Sequence, residues 1–169
     1  MRKFALFAIL LALHAIFPAC SGKDVIASRA EHFVRATYND VDRVLSVKVD
    51  TVTYGDNLDY RVEQARHRME FSSMMSRDYG GKIYEESLAK DKAWVAALDS
   101  LKGVSEDVLG EATAFTCVVV YNNPSNLVWV QLDKYGNLLN ITKEQEKVLL
   151  NPGEDVPGYF ETWGKYNGR

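Results

Sequence analysis

Glu63, His67 and Glu70 fall at i−4, i and i+3, so a helix would place one imidazole and two carboxylates on a single face. Helical bundles build di-metal centres from that spacing, but they draw matching ligands from companion helices. The next helical segment offers Glu85, Glu86 and Asp91 and no histidine, while Arg66 and Arg68 flank the trio. The pattern therefore reads as a solvated charged face, and no metal or cofactor is expected. Cys117 lies in the β-rich run Thr113 to Tyr121 with no cationic or histidine neighbour in sequence. Such a cysteine is a small buried apolar side chain, not a nucleophilic thiolate. His32 stands beside Glu31 and Phe33 without a serine or cysteine partner in any recognisable motif. The Gly-x-Ser-x-Gly and His-Glu-x-x-His signatures and the Gly-rich phosphate loops are absent, so no catalytic residue is assigned.

Recognition has better candidates than catalysis. Tyr159, Phe160, Trp163 and Tyr166 stand among glycines and prolines in what reads as an irregular tail. Aromatics offer large contact area at low entropy cost, which makes these four the candidate ligand-binding residues. The competing reading is that they cover an open face of a sheet. Met69, Met74 and Met75 with Phe71 form an adaptable apolar stripe that reads as core filler.

The first 19 residues have a different character. Arg2 and Lys3 precede the 14-residue apolar run Phe4 to Phe17, and Ala19 stands just before Cys20. Fourteen residues fall short of the roughly 20 that span a bilayer, and small polar residues follow, so the segment reads as an export signal. With Phe17-Pro18-Ala19-Cys20 at the position of a lipobox, the chain resembles a bacterial lipoprotein precursor. Phe17 and Pro18 depart from the usual leucine and small residue, and looser lipoboxes of this kind resemble those of Bacteroidota envelope lipoproteins. The resemblance implies cleavage between Ala19 and Cys20, a diacylglycerol on the Cys20 sulfur and acylation of the new amino terminus. It further implies an envelope protein whose membrane partner is reached through lipid on Cys20, anchored at the outer membrane. Each buried methylene would contribute about 0.8 kcal/mol to that anchoring. A lipidated Cys20 would also leave Cys117 without an intramolecular partner, so no disulfide framework is expected.

Removing Arg2 and Lys3 from the 20 basic side chains leaves 18 against 23 acidic ones, a formal charge of −5. With no basic stripe, nucleic acid is not an expected partner. Cys20 to Arg169 comprises 150 residues, enough for one domain with a real core. The expected organisation is a signal peptide over 1–19, a lipidated tether over 20–24, one domain over 25–150 and an aromatic tail over 151–169.

Within the domain, Asp24 reads as the N-cap of a helix from Val25 to Tyr38, with Ile26, Ala30, Phe33 and Thr37 on one face. Arg43 to Tyr54 alternates as a half-buried strand, ended by Gly55-Asp56-Asn57. Leu58 to Tyr79 and Ile83 to Leu101 have helical periodicity around the break Gly80-Gly81, which predicts a helical hairpin. Ser105 starts a short helical turn. Ala112 to Asn122, Leu127 to Asp133 and Leu138 to Thr142 read as three strands joined by Asn123-Pro124-Ser125-Asn126 and Lys134-Tyr135-Gly136-Asn137. Lys143 to Leu150 reads as a short helix. The order predicts an α+β domain with helices packed on one face of an antiparallel sheet filled by Leu45, Val47, Val118, Val120, Val128 and Val130.

This layout, with the run Thr116 to Asp133 and the motifs Tyr121-Asn122-Asn123 and Asp133-Lys134-Tyr135-Gly136-Asn137, is similar to small secreted Bacteroidota proteins with cystatin-like or NTF2-like cone folds. The similarity spans roughly residues 46–142 and brings no catalytic residues with it. The expectation is a non-enzymatic envelope lipoprotein, a binding or scaffold module for a protein, glycan or apolar ligand. The alternative is a small enzyme or enzyme inhibitor that uses a cavity between sheet and helices.

Overall fold

The computed structural model describes residues 22–167, so Ala19, Cys20 and the leader lie outside the described residues. Helix α1 (Gly22–Thr37) buries Ile26, Ala30 and Val34, a stripe with a four-residue repeat that leaves Phe33 half-buried and Thr37 exposed. Asp24 lies within the helix and not at a cap, because Gly22 and Lys23 before it are already helical. Strands β1 (Val44–Thr53), β2 (Ala112–Tyr121), β3 (Leu127–Asp133) and β4 (Leu138–Thr142) form one antiparallel sheet in that order. The architecture is α+β, with helix packed on an antiparallel sheet, as the order of elements implies.

Register decides which side of the sheet is core. Cys117 pairs with Val130 and Val119 with Val128, and these four are fully buried beneath α1. Val47 and Val49 of β1 pair with Val119 and Cys117 and extend the same layer. Because successive side chains alternate faces, Val118 and Val120, opposite Trp129 and Leu127, are on the other face and only half-buried. This corrects the expectation that they fill the core beside Val128 and Val130. The unbroken run Val118-Val119-Val120 carries no alternation from which to read the register. A register shift between Val44 and Ser46 leaves Leu45 40% exposed, so it too is outside the core.

A capping box starts helix α2 (Tyr54–Tyr79) directly at the end of β1. The Thr53 hydroxyl accepts the Asp56 amide at 3.2 Å, and the Asp56 carboxylate accepts the Thr53 amide at 2.8 Å. Gly55-Asp56-Asn57 are thus the first helical turn and not a strand-ending loop. Gly80 and Gly81, both at positive φ, turn the chain into α3 (Lys82–Leu101). The one-turn helix α4 (Glu106–Leu109) follows Ser105. At 26 residues α2 is about 39 Å long, and the hairpin builds its own core from Leu58, Val62, Ala65, Trp94, Val95 and Leu98. The described residues therefore form two cores: one between α1 and the sheet, one inside the hairpin.

After β4 a 3-10 turn forms, Gln145–Lys147, in place of the short helix that the sequence predicts over Lys143 to Leu150. The fully buried Gln131 side chain takes the backbone instead. Its amide nitrogen donates to the Leu149 carbonyl and its oxygen accepts the Leu149 amide, each at 2.8 Å. Asn140 adds a bond from its amide to the Lys147 carbonyl at 3.0 Å. The segment is thereby pinned along the sheet in a non-helical path. Gly153, at φ 93°, then passes so close to β2 that a Cβ there would lie 2.8 Å from Thr113 Oγ1 and 2.9 Å from Ala114 Cβ. Helix α5 (Tyr159–Asn167) follows, which corrects the reading of an irregular tail. Tyr159, Trp163 and Tyr166 are spaced by four and three, so they share a helical face, and Phe160, off that face, is 70% exposed.

Candidate functional site

Helix α5 packs on α3, not on the sheet. A set of contacts around residues 152–155 holds it there. Asn57, 1% exposed in the first turn of α2, donates from its amide nitrogen to the Glu154 carbonyl at 2.6 Å and to Thr113 Oγ1 at 3.1 Å. Arg61, one turn further, pairs bidentately with Asp155 at 2.9 and 3.0 Å, and its guanidinium carbon lies 5.2 Å from the centre of the Tyr159 ring. Asp155 keeps the Arg61 guanidinium firmly charged. The Glu154 carboxylate accepts from Lys134 Nζ at 2.8 Å and from the Tyr54 hydroxyl at 3.0 Å. Those two bonds, Lys134 first, hold Glu154 below the usual carboxylate range, and the same carboxylate raises the Tyr54 phenol.

With α5 in place, aromatic rings converge on Trp94 of α3. The Tyr159 ring centre is 5.9 Å from it at 66°, and that of Tyr166 is 5.7 Å away at 56°. Burial raises the Tyr159 hydroxyl above its ordinary value. Two adjoining cavities open along this seam between the hairpin and α5, and Arg68 and Trp94 line both. The larger, about 380 Å³, has Phe71 and Tyr166 among its aromatic residues, with Ser87, Lys90 and the buried Asp91 as polar lining. The smaller, about 320 Å³, takes in Arg61, Gln64, Tyr159 and Trp163. Asp91, 5% exposed, receives the Ser72 hydroxyl on one oxygen at 2.6 Å and has Arg68 Nε 2.6 Å from the other. Ser87 Oγ lies 3.3 Å from Ser72 Oγ. A buried carboxylate is thus neutralised by a cation reaching across the hairpin, with hydroxyls beside it. The groove as a whole offers aromatic surface, cationic groups and hydroxyl donors, the complement of a polar ligand with a ring and an anionic group.

The structure brings three of the four tail aromatics to this groove and leaves Phe160 outside it. Sequence analysis assigns Trp94 and Lys90 no role and places Arg68 and Asp91 on a solvated charged face, whereas all four line the groove. Ser87, Asp91 and Trp94, spaced by four and three, do share a face of α3, but serine, aspartate and lysine on a helix read as a solvated face. Glu63, His67 and Glu70 are exposed on α2, with His67 Nε2 3.7 Å from Glu63 and Nδ1 3.6 Å from Glu70. Among the described residues no three His, Cys, Asp or Glu side chains are grouped so that they could hold a metal ion. Burial, with Asp50 adding to it, pushes the Cys117 thiol up to about 11, so it is protonated at neutral pH. Met69 and Met75 are half-buried, while Phe71 and Met74 are exposed. Among the described residues no helix is long and apolar enough to cross a membrane. The chain matches no family model, no curated protein and no solved structure.

Proposed function

We propose that this protein is a non-enzymatic binding module of the bacterial envelope, anchored by lipid on Cys20, that holds its ligand in the groove between the helical hairpin and α5. The lipobox-like Phe17-Pro18-Ala19-Cys20 supports the anchor. One observation carries the binding reading: the terminal helix sets Trp163 and Tyr166 against the hairpin beside Arg68 and Lys90, leaving an open groove where a purely structural cap would close one. A helix laid across a four-stranded meander also supports the cystatin-like layout, with the hairpin inserted between β1 and β2. The test is chemical cross-linking in native envelopes with wild type and with Trp163→Ala/Tyr166→Ala. A species captured by wild type and lost with the double variant is the expected result. Equal capture by both would remove the groove from the function. Metabolic palmitate labelling that persists in Cys20→Ala would remove the anchor.

A second reading places catalysis in the same groove, favoured by Ser87 lying one turn before Lys90 and touching Ser72, whose proton is held by Asp91. On that reading Ser87→Ala would abolish hydrolysis of an activated ester and spare ligand affinity. No loss on substitution, or no turnover by wild type, would leave the binding module alone.

A further inference from the structure

We infer that the ligand of this groove is an acidic sugar, a ring bearing a carboxylate or sulfate group. The inference rests on the groove being the binding site and adds the ligand's chemical class. Charge comes first. Arg61 is matched by Asp155, and Arg68 by Asp91, whereas Lys90 has no hydrogen bond or ion pair among the described residues. The groove thus has one unmatched positive charge on a chain whose formal charge is −3, a local field that selects an anion. Arg68 sharpens the selection. Its Nε faces Asp91 at 2.6 Å, and its side chain is 54% exposed at the junction of the two cavities, so the planar fork there can meet an oxyanion.

The lining then favours a sugar over an apolar ligand. Phe71 is 59% and Tyr166 41% exposed beside the larger cavity, and their faces suit the C–H face of a pyranose. Ser87, Lys90 and Gln64 are donors that an apolar molecule would strip of water without replacing the lost bonds, at a cost that sugar hydroxyls avoid. Each cavity lies at the lower end of the range for small-molecule sites, about 300–1,000 Å³, which suits a ring or two.

The experiment is titration of the mature lipidated protein in detergent, followed by tryptophan fluorescence, with trigalacturonate, its fully methyl-esterified form, a sulfated disaccharide and a short polyglutamate peptide. Trigalacturonate or the sulfated sugar should bind, the two arms telling carboxylate from sulfate. Lys90→Gln should weaken that binding by about tenfold, with an unchanged melting curve as the folding control. Raising salt should weaken it too. Equal binding of the methyl ester would overturn the acidic preference while keeping a glycan groove. Tighter binding of polyglutamate, or no sugar binding at millimolar concentration, would overturn the inference. The envelope cross-linking separately decides whether the groove binds anything.

Discussion

Asn57 shows how much one side chain can hold. Its amide joins the base of α2 to β2 through Thr113 and to the approach of α5 through the Glu154 carbonyl, with Pro152 O at the longer distance of 3.4 Å. Asn57→Ala leaves those buried acceptors unpaired, an expected loss of about 1–3 kcal/mol in urea denaturation. Because two of its partners are in residues 152–154, the same variant should be cut by protease in that stretch before the sheet is. Uniform protease resistance would show that the amide is not the tether. Register makes a second residue-scale prediction. Val119→Asp buries a carboxylate in the fully buried layer under α1 and should abolish the thermal transition. Val118→Asp, one residue away, puts its carboxylate on the opposite face directly across from Lys48 and should keep a cooperative transition at a lower Tm. The reverse order of damage would mean that the register is off by one residue.

At the scale of elements, α5 is the piece on which the groove depends. Ending the chain after Gly158 removes Tyr159 from the hairpin core and uncovers Trp94, so the hairpin should lose stability and tryptophan emission should shift to the red. Burial of Tyr159 alone contributes about 1.5–3 kcal/mol. Unchanged emission would show that α5 does not pack on Trp94. The sequence concealed this helix behind Pro157-Gly158 and Gly164, even though the spacing of Tyr159, Trp163 and Tyr166 carries a helical period. What was legible was local: the glycine break at 80–81, the two polar hairpin turns, and Ser105 before α4 all act within a few residues. What was illegible depends on distant partners. Lys143 to Leu150 loses its expected helix to Gln131, which lies 18 residues from Leu149. Thr53 starts α2 at Tyr54 through a capping box whose acidic member, Asp56, equally suits a turn. The aromatic half of the groove could be read from composition, but Arg68, Lys90 and Asp91 could not, since charged residues on an amphipathic helix ordinarily face water.

At the scale of the molecule, the two cores meet at a joint built around Glu154. Lys134 comes to it from the β3–β4 turn, Tyr54 from the start of α2, and Glu154 itself from the approach to α5, so one carboxylate links the sheet, hairpin and tail. Glu154 is held below its ordinary value of 4.5, chiefly by Lys134, so the unfolded chain binds its proton more tightly than the folded one. Its stabilisation is therefore complete above about pH 4.5 and is lost as pH falls through the lower folded value. Asp133, in the adjacent turn, behaves likewise. Burial would raise it, but bonds from the Asn137 side chain and from the Asn137 and Tyr135 amides outweigh that and lower it from 3.8. At the other extreme, Tyr54 is raised above 10.0, so its part of the joint is present at neutral pH and lost as pH climbs through that raised value. Acid should thus loosen the joint before either core dissolves. On titration from pH 6 towards 3, the groove tryptophans should respond at a higher pH than the loss of sheet signal. Glu154→Gln should weaken the joint at neutral pH and flatten this acid response, because the amide cannot titrate. If wild type and Glu154→Gln lose both signals together and at the same pH, the two cores form a single cooperative unit and Glu154 is not the group that joins them.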